Sequence, residues 1–246
     1  MKFNSTTDLT GLIQDCETLL GMTSADISGD TTLLKVFTRL INVWYRRVNS
    51  WIWEATGTWE YDDSNATDMP MATTDLVTTA GSEQQDYEMP STAQKIDRVE
   101  VLNVNGDYSV VKPIDKSEVR GTAMSEFYET PGMPVYYDLV GRSVFLYPKP
   151  GADYVTETAG LKMYFTRNIV EFTSTDTTDE PGFVNNFHRI LSIGASIDYA
   201  TSYGMESRIS VFEKQLEELK GELKRFYGSR NRNRKLKINA PRRKYK

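Results

Sequence analysis

The apolar residues of this 246-residue chain change period twice. Near both ends they recur every three or four positions, and between about Trp59 and Phe172 they tend to alternate. A repeat near 3.6 lines one face of a helix, whereas a repeat of two lines one face of a strand. The chain therefore has helical faces at both ends and sheet faces in the middle to bury, and few architectures satisfy both.

The first strong helical stretch is DTTLLKVFTRLINVWYRRVNSWIWEA, residues 30–55. It sets Leu33, Phe37, Leu40, Trp44, Val48 and Trp51 on one face, with Asp30 as N-cap and Gly57 as the stop. A shorter helix is expected from Thr7 to Leu20, ending at Gly21. After Pro181, FVNNFHRILSIGASIDYATSYG places Phe183, Phe187, Ile190, Gly194 and Ile197 on one face and stops at Gly204. ESRISVFEKQLEELKGELKRFYG follows with Ile209, Phe212, Leu216, Leu219, Leu223 and Phe226 in a 3-4-3-4-3 pattern. That stripe fits a coiled-coil seam or the core face of a packed helix, and its shortness favours intramolecular core. Gly228 is the expected release point.

The middle is rich in Thr, Val and Tyr and is punctuated by turn residues, as several short antiparallel strands would be. Strands are expected at 76–80, 95–104, 108–114, 134–140, 143–148 and 160–169, with turns at Asn105-Gly106-Asp107 and Gly141-Arg142. The predicted fold is α+β. A helical bundle domain is built from residues 1–56 and 181–228, an antiparallel β-sandwich or barrel domain is inserted over 57–180, and an extended basic arm occupies 229–246.

Catalytic and cofactor readings find little support. His188, the one histidine, lies inside a helical stretch and reads as an ordinary helix-surface or half-buried side chain, so no two-histidine metal site can form. Cys16 is the single cysteine, which excludes intramolecular disulfides and a Cys-rich zinc site. DDSNATD at 62–68 follows the first half of a calcium loop, but Asp68 stands where the loop needs Gly and Thr74 where it needs a bidentate acid. STDTTDE at 174–180 reads as a helix lead-in, with Asp179 or Glu180 near a helix N-terminus. No glycine-rich phosphate loop occurs. The expectation is a protein that is not an enzyme and binds no cofactor. No apolar stretch approaches the roughly 20 residues that span a bilayer, so no membrane association is expected.

Charge separates one segment from all the others. RNRNRKLKINAPRRKYK, residues 230–246, holds nine Lys or Arg and no acid. The whole chain has 29 bases and 34 acids, so residues 1–229 keep 20 bases against 34 acids and are about fourteen charges negative. Such a tail can be a solvated end, a nucleic-acid contact or a docking arm. Docking onto another protein is favoured, because Leu236, Ile238 and Tyr245 interleave with the charges and Lys235-Leu236-Lys237-Ile238 alternates as a strand does. The partner-binding residues proposed on this basis are Arg230, Arg232, Arg234, Lys235, Leu236, Lys237, Ile238, Arg242, Arg243, Lys244, Tyr245 and Lys246.

The order of segments also carries a resemblance. A helix pair is followed by QQDYEMPSTAQKIDRVEVLNVNGDYSVVKPIDKSEV, PGMPVYYDLVGRSVFLYPKPGAD and LKMYFTRNIVEFTSTDTTDEPGFVNNFHRILSIGASIDYA. This pattern of apolar and turn positions, over about residues 30–228, resembles the head-to-tail adaptor, or connector, proteins of tailed bacteriophages. The resemblance implies a virion structural protein, made in the host cytoplasm and placed at the head-tail junction. It further implies a homo-oligomeric ring, usually of twelve copies, that binds the portal protein and downstream tail or neck proteins, with double-stranded DNA passing through the centre and the C-terminal arm reaching into the portal. Two rival readings remain open: a nucleic-acid-binding module that uses the basic tail, and a β-sandwich protein for host attachment or sugar binding, to which Trp53, Trp59 and the many tyrosines could belong.

Overall fold

The computed structural model describes residues 1–57, 70–79, 81–115 and 129–230. It is a mixed α+β fold in two compact units, Met1–Asp63 with Ile169–Lys246, and Ser64–Asn168. The first unit holds the helices α1 (Leu12–Leu20), α2 (Thr31–Thr56), α3 (Arg189–Ser202) and α4 (Glu206–Arg230).

Helix α2 begins and ends where its sequence signals stand. The Asp30 carboxylate accepts from the backbone N–H groups of Thr32 (2.7 Å) and Leu33 (3.1 Å), satisfying two donors that no helical carbonyl reaches. Gly57 closes the helix with a φ of +70° and bonds back to the Trp53 carbonyl. Helix α1, in contrast, begins at Leu12 rather than Thr7. Its first N–H groups are taken by the chain's opening residues, Leu12 by the Lys2 carbonyl (2.9 Å) and Ile13 by the Phe3 carbonyl (3.1 Å). Gln14 completes this cap, accepting from Ser5 N–H (3.0 Å) and donating to Asn4 Oδ1 (2.7 Å). A longer helix would have to displace all four bonds.

Helix α3 is buried nearly all round, not along the single face expected. It packs against α1, α2 and α4, so each of its sides meets a helix. That arrangement explains its small residues. Gly194 receives the Trp44 ring, and Ser192 donates to the Leu12 carbonyl (3.2 Å) while its own carbonyl accepts from the Cys16 thiol (3.6 Å). Burial pushes the Cys16 thiol far up, which keeps it protonated and inert. Helix α3 starts only after a 3₁₀ turn at Asn185–Phe187, so Asp179 and Glu180 do not sit at its N-terminus. The Asp179 carbonyl instead accepts from Phe3 N–H (2.7 Å), and the Glu180 carboxylate lies 4.0 Å from the Met1 amino group.

Along α4 the buried residues are Phe212, Leu216, Leu223 and Tyr227, with Ile209 and Leu219 half-buried and Phe226 40% exposed. An unsupercoiled helix repeats every 3.6 residues, so a stripe written at 3.5 drifts off the contact, and by the last turn position 227 has replaced 226. The stripe is therefore core within the chain over most of its length. The helix also does not release at Gly228 but runs to Arg230.

The second unit contains β1 (Met71–Thr74), β2 (Asp86–Glu88), β3 (Ala93–Leu102), β4 (Tyr108–Pro113), β5 (Pro131–Gly132), β6 (Tyr136–Val140), β7 (Ser143–Tyr147), β8 (Lys149–Pro150) and β9 (Leu161–Arg167). Seven of them form one sheet in the order β1-β9-β3-β4-β6-β7-β2, and β5 pairs with β8 separately. The sheet is barrel-like and nearly closed: Gln84 N–H bonds the Val77 carbonyl (3.0 Å) and the Tyr87 hydroxyl accepts from Val77 N–H (3.2 Å), which brings the chain beyond β1 beside β2. Five of the six expected strands form. Residues 76–79 do not: Leu76 and Thr78 are buried there, and Leu76 N–H goes to the Glu157 carbonyl (2.9 Å). The fully antiparallel sheet expected is corrected at β4–β6 and β5–β8, which are parallel. A parallel pair needs a long crossover. Twenty-two residues separate β4 from β6 in the sequence and sixteen separate β5 from β8, long enough for one in each case. Glycines at the two predicted turns, Gly106 (φ +86°) and Gly141 (φ +61°), hold the conformations that turns of this kind require.

Candidate functional site

Of the proposed arm residues only Arg230 lies among the described ones. Arg232, Arg234, Lys235, Leu236, Lys237, Ile238, Arg242, Arg243, Lys244, Tyr245 and Lys246 lie outside them, as do the acidic turn at 62–68 and Trp59. The described part of the proposed site is thus the last turns of α4, the helix that precedes residues 231–246.

That end of α4 is held at several points. Tyr227 is buried, and its hydroxyl accepts from Val184 N–H (3.1 Å), which ties the helix to the segment leading into α3. Phe226 stacks obliquely on Phe187, with ring centroids 5.6 Å apart. Lys224 bonds Glu54 of α2 (2.7 Å), and this exposed pair contributes little by itself. Arg230 lies 6.0 Å from the Tyr227 ring centroid, at the outer limit of a cation–π contact. Tyr227 is the residue that sequence reasoning missed. Its signal was present at i+4 from Leu223 and i+11 from Leu216, but a strict 3-4 alternation passes over it.

His188 is neither at the helix surface nor half-buried; it is 1% exposed. Its Nε2 lies 2.6 Å from the Phe183 carbonyl and its Nδ1 lies 2.7 Å from the Met1 amino group. A neutral ring that donates from Nε2 and accepts at Nδ1 satisfies both partners. A protonated ring would point a second N–H at an ammonium. Burial lowers the His188 pKa from its ordinary 6.5 to about 4; the Phe183 carbonyl opposes the shift and the charge of Met1 adds to it. The ring's polar atoms are spent on structure, and it clamps the chain's first residue to the start of α3.

A pH dependence follows. Between pH 6.5 and 4 the unfolded chain binds a proton at His188 that the folded chain refuses, so stability falls as pH falls through that window. The loss from pH 7 to pH 5 should be about 2 kcal/mol. Urea midpoints at the two pH values check it. In His188→Gln this part of the slope should vanish, although the variant is less stable throughout, because a glutamine cannot meet both partners in the same geometry.

Among the described residues no group of three or more His, Cys, Asp or Glu side chains is placed to hold a metal ion, and no helix is long and apolar enough to cross a membrane. No curated protein matches the chain. A family model described as SU10 adaptor protein does match, over residues 7–241, which takes in both units and most of the basic C-terminal sequence. With nearly the whole chain covered, in agreement with the adaptor resemblance of its segment order, this protein belongs to the SU10 adaptor protein family.

Proposed function

We propose that this protein is a bacteriophage virion structural protein that joins head to tail. It binds the portal through its C-terminal arm and assembles as a homo-oligomeric ring, of twelve copies by analogy with other adaptors. On this reading the helices from both chain ends act as one bundle carrying an inserted β-domain, phage DNA passes through the ring, and tail or neck proteins join below. The role is structural and uses neither a catalytic group nor a cofactor.

The observation that carries this reading is the family match along almost the full chain. Charge supports it. A body about fourteen charges negative repels phosphates at short range, so DNA slides through a ring of it without being gripped. An arm of opposite sign is steered to an acidic surface on another protein, and its apolar residues then fix the contact. The rooted end of α4 supports it too, because an arm transmits attachment only when its base is held.

Removal of residues 231–246 is the test. Portal attachment should be lost, while the unfolding free energy of the truncated protein, from urea titration, stays within about 0.5 kcal/mol of the intact one, as for surface changes in general. Leu236→Ser, Ile238→Ser and Tyr245→Ser together should weaken attachment with every charge kept. The rival reading, a nucleic-acid module, is favoured by nine bases without an acid. It requires the truncation to abolish salt-sensitive DNA binding while portal attachment is unaffected.

A further inference from the structure

The turn between β3 and β4 carries chemistry that neither the fold nor the proposed role uses. Asn105-Gly106 is the single Asn-Gly pair in the sequence. Asparagine is a chemically labile residue, and most so before glycine. The backbone nitrogen of the next residue can attack the side-chain carbonyl carbon, and glycine has no Cβ to hinder the approach. Here both residues are exposed, and a Cβ built on Gly106 would meet nothing within 4 Å. The reactive pair thus stands in open solvent on a loop tip, the kind of segment that opens most readily.

What holds this tip is Asn103. Its side-chain Oδ1 accepts from the backbone N–H groups of Asn105 (2.9 Å) and Asp107 (3.0 Å). Its carbonyl accepts from Gly106 N–H (3.1 Å) and from the Thr156 hydroxyl (2.9 Å), and its own N–H donates to the Asp107 carbonyl (3.0 Å). An asparagine side chain bonded to backbone groups two residues on stands in for the pairing that a turn lacks. The consequence for the chemistry is direct. The attacking nitrogen is that of Gly106, and the proton that base must first remove from it is bound to the Asn103 carbonyl. Turning this nitrogen toward Asn105 Cγ rotates the peptide between residues 105 and 106, which breaks that bond and pulls Asp107 N–H away from Asn103 Oδ1.

We infer that Asn105 is a latent deamidation site whose rate is set by Asn103. In the reaction Gly106 N gives its proton to base, and its electron pair forms a bond to Asn105 Cγ. The Cγ–Nδ2 bond breaks, and the side-chain nitrogen leaves as ammonia with a proton from water. The cyclic imide so formed takes up water at one of its carbonyl carbons, a ring C–N bond breaks, and the product is aspartate or isoaspartate. One water is consumed and one ammonia released, with no change of oxidation state. Either product places a new negative charge beside Asp107. Isoaspartate also adds a methylene to the main chain, so the bonds around Asn103 and the pairing of Leu102 with Tyr108 cannot all form again. The inference does not depend on the adaptor reading.

The test is peptide mapping by mass spectrometry of the full chain, aged at mildly alkaline pH folded and, as reference, in concentrated urea. In urea Asn105 should be the fastest-reacting asparagine, and in the folded parent it should react about tenfold more slowly or less. Asn103→Ala, shown by circular dichroism to be folded, should react about tenfold faster than the folded parent, the factor that loss of one or two hydrogen bonds gives to an opening equilibrium. Should the alanine variant not fold, Asn103→Gln, whose longer arm moves the acceptor off the turn, takes its place. Asn103→Asp keeps the acceptor and should stay within about threefold of the parent. A folded parent that reacts as fast as the chain in urea overturns the inference, and so does a folded Asn103→Ala or Asn103→Gln that reacts at the parent's rate. An Asn103→Asp chain that reacts as fast as these overturns the assignment to the bonds at Oδ1. An Asn105 that stays intact in urea removes the site itself.

Discussion

Replacing Gly194 by valine is expected to unfold the helical unit, at a cost of about 4 kcal/mol or more. A Cβ built on Gly194 would stand 2.1 Å from Trp44 Cδ2 and 2.5 Å from Cε2 and Cγ, all far inside van der Waals contact. The usual relief, movement of the neighbour, is closed off. Trp44 is 5% exposed, its indole N–H bonds the Asp198 carboxylate (2.8 Å), and its ring meets Trp51 edge-on at 6.2 Å. Ordinary overpacking costs about 1–3 kcal/mol because side chains give way; here the backbones of α2 and α3 would have to part. Alanine at 194 separates the two effects at work, since on helix propensity alone it should stabilise by about 1 kcal/mol. Urea unfolding checks the sign. A Gly194→Ala chain as stable as the parent would mean that α2 and α3 are not packed through Trp44, and combining Gly194→Ala with Trp44→Leu should recover part of any loss.

The second large effect is expected at Asn42, where alanine should cost about 3 kcal/mol. Its side chain makes a closed pair of bonds with one backbone residue, donating to the Phe172 carbonyl (2.8 Å) and accepting from Phe172 N–H (3.0 Å). Both bonds are buried, so truncation orphans two backbone groups where water does not reach, and each is expensive to leave unpaired. The same bonds set the segment after Ile169 against α2, where Phe172 stacks on Phe3 at 4.7 Å and on Tyr45 at 5.7 Å. Asn42→Asp should fail almost as badly, because a carboxylate cannot donate to the Phe172 carbonyl. Denaturant titration of the two variants distinguishes this account from simple volume loss, since aspartate nearly keeps the volume and alanine does not.

Much of the fold was legible in the residues. Asp30 and Gly57 announced the ends of α2, Gly106 and Gly141 the turns, and β3, β4, β6, β7 and β9 lay close to where alternation placed them. These features depend on neighbours within a few positions, where local sterics and hydrogen bonding act. What escaped notice depended on distant parts of the chain. The late start of α1 is set by residues 2–5 folding back on it, the parallel pairings by crossovers, and the burial of His188 by the chain's first residue. At the site, Arg230 was named from its charge, but Tyr227, which holds the root, was hidden by a difference of one tenth of a residue per turn between two periods.

Sequence by itself determined the α+β class, the charge split between residues 1–229 and 230–246, and the family, since each follows from residue types and their order along the chain. Only tertiary structure decided which apolar face won each contact. A 3-4 pattern states that a helix has a buried side but not how many neighbours it will meet. For α3 three helices came, and glycine and serine were needed to admit them. For α2 and α4 the contacts within the chain were satisfied with part of each helix left exposed.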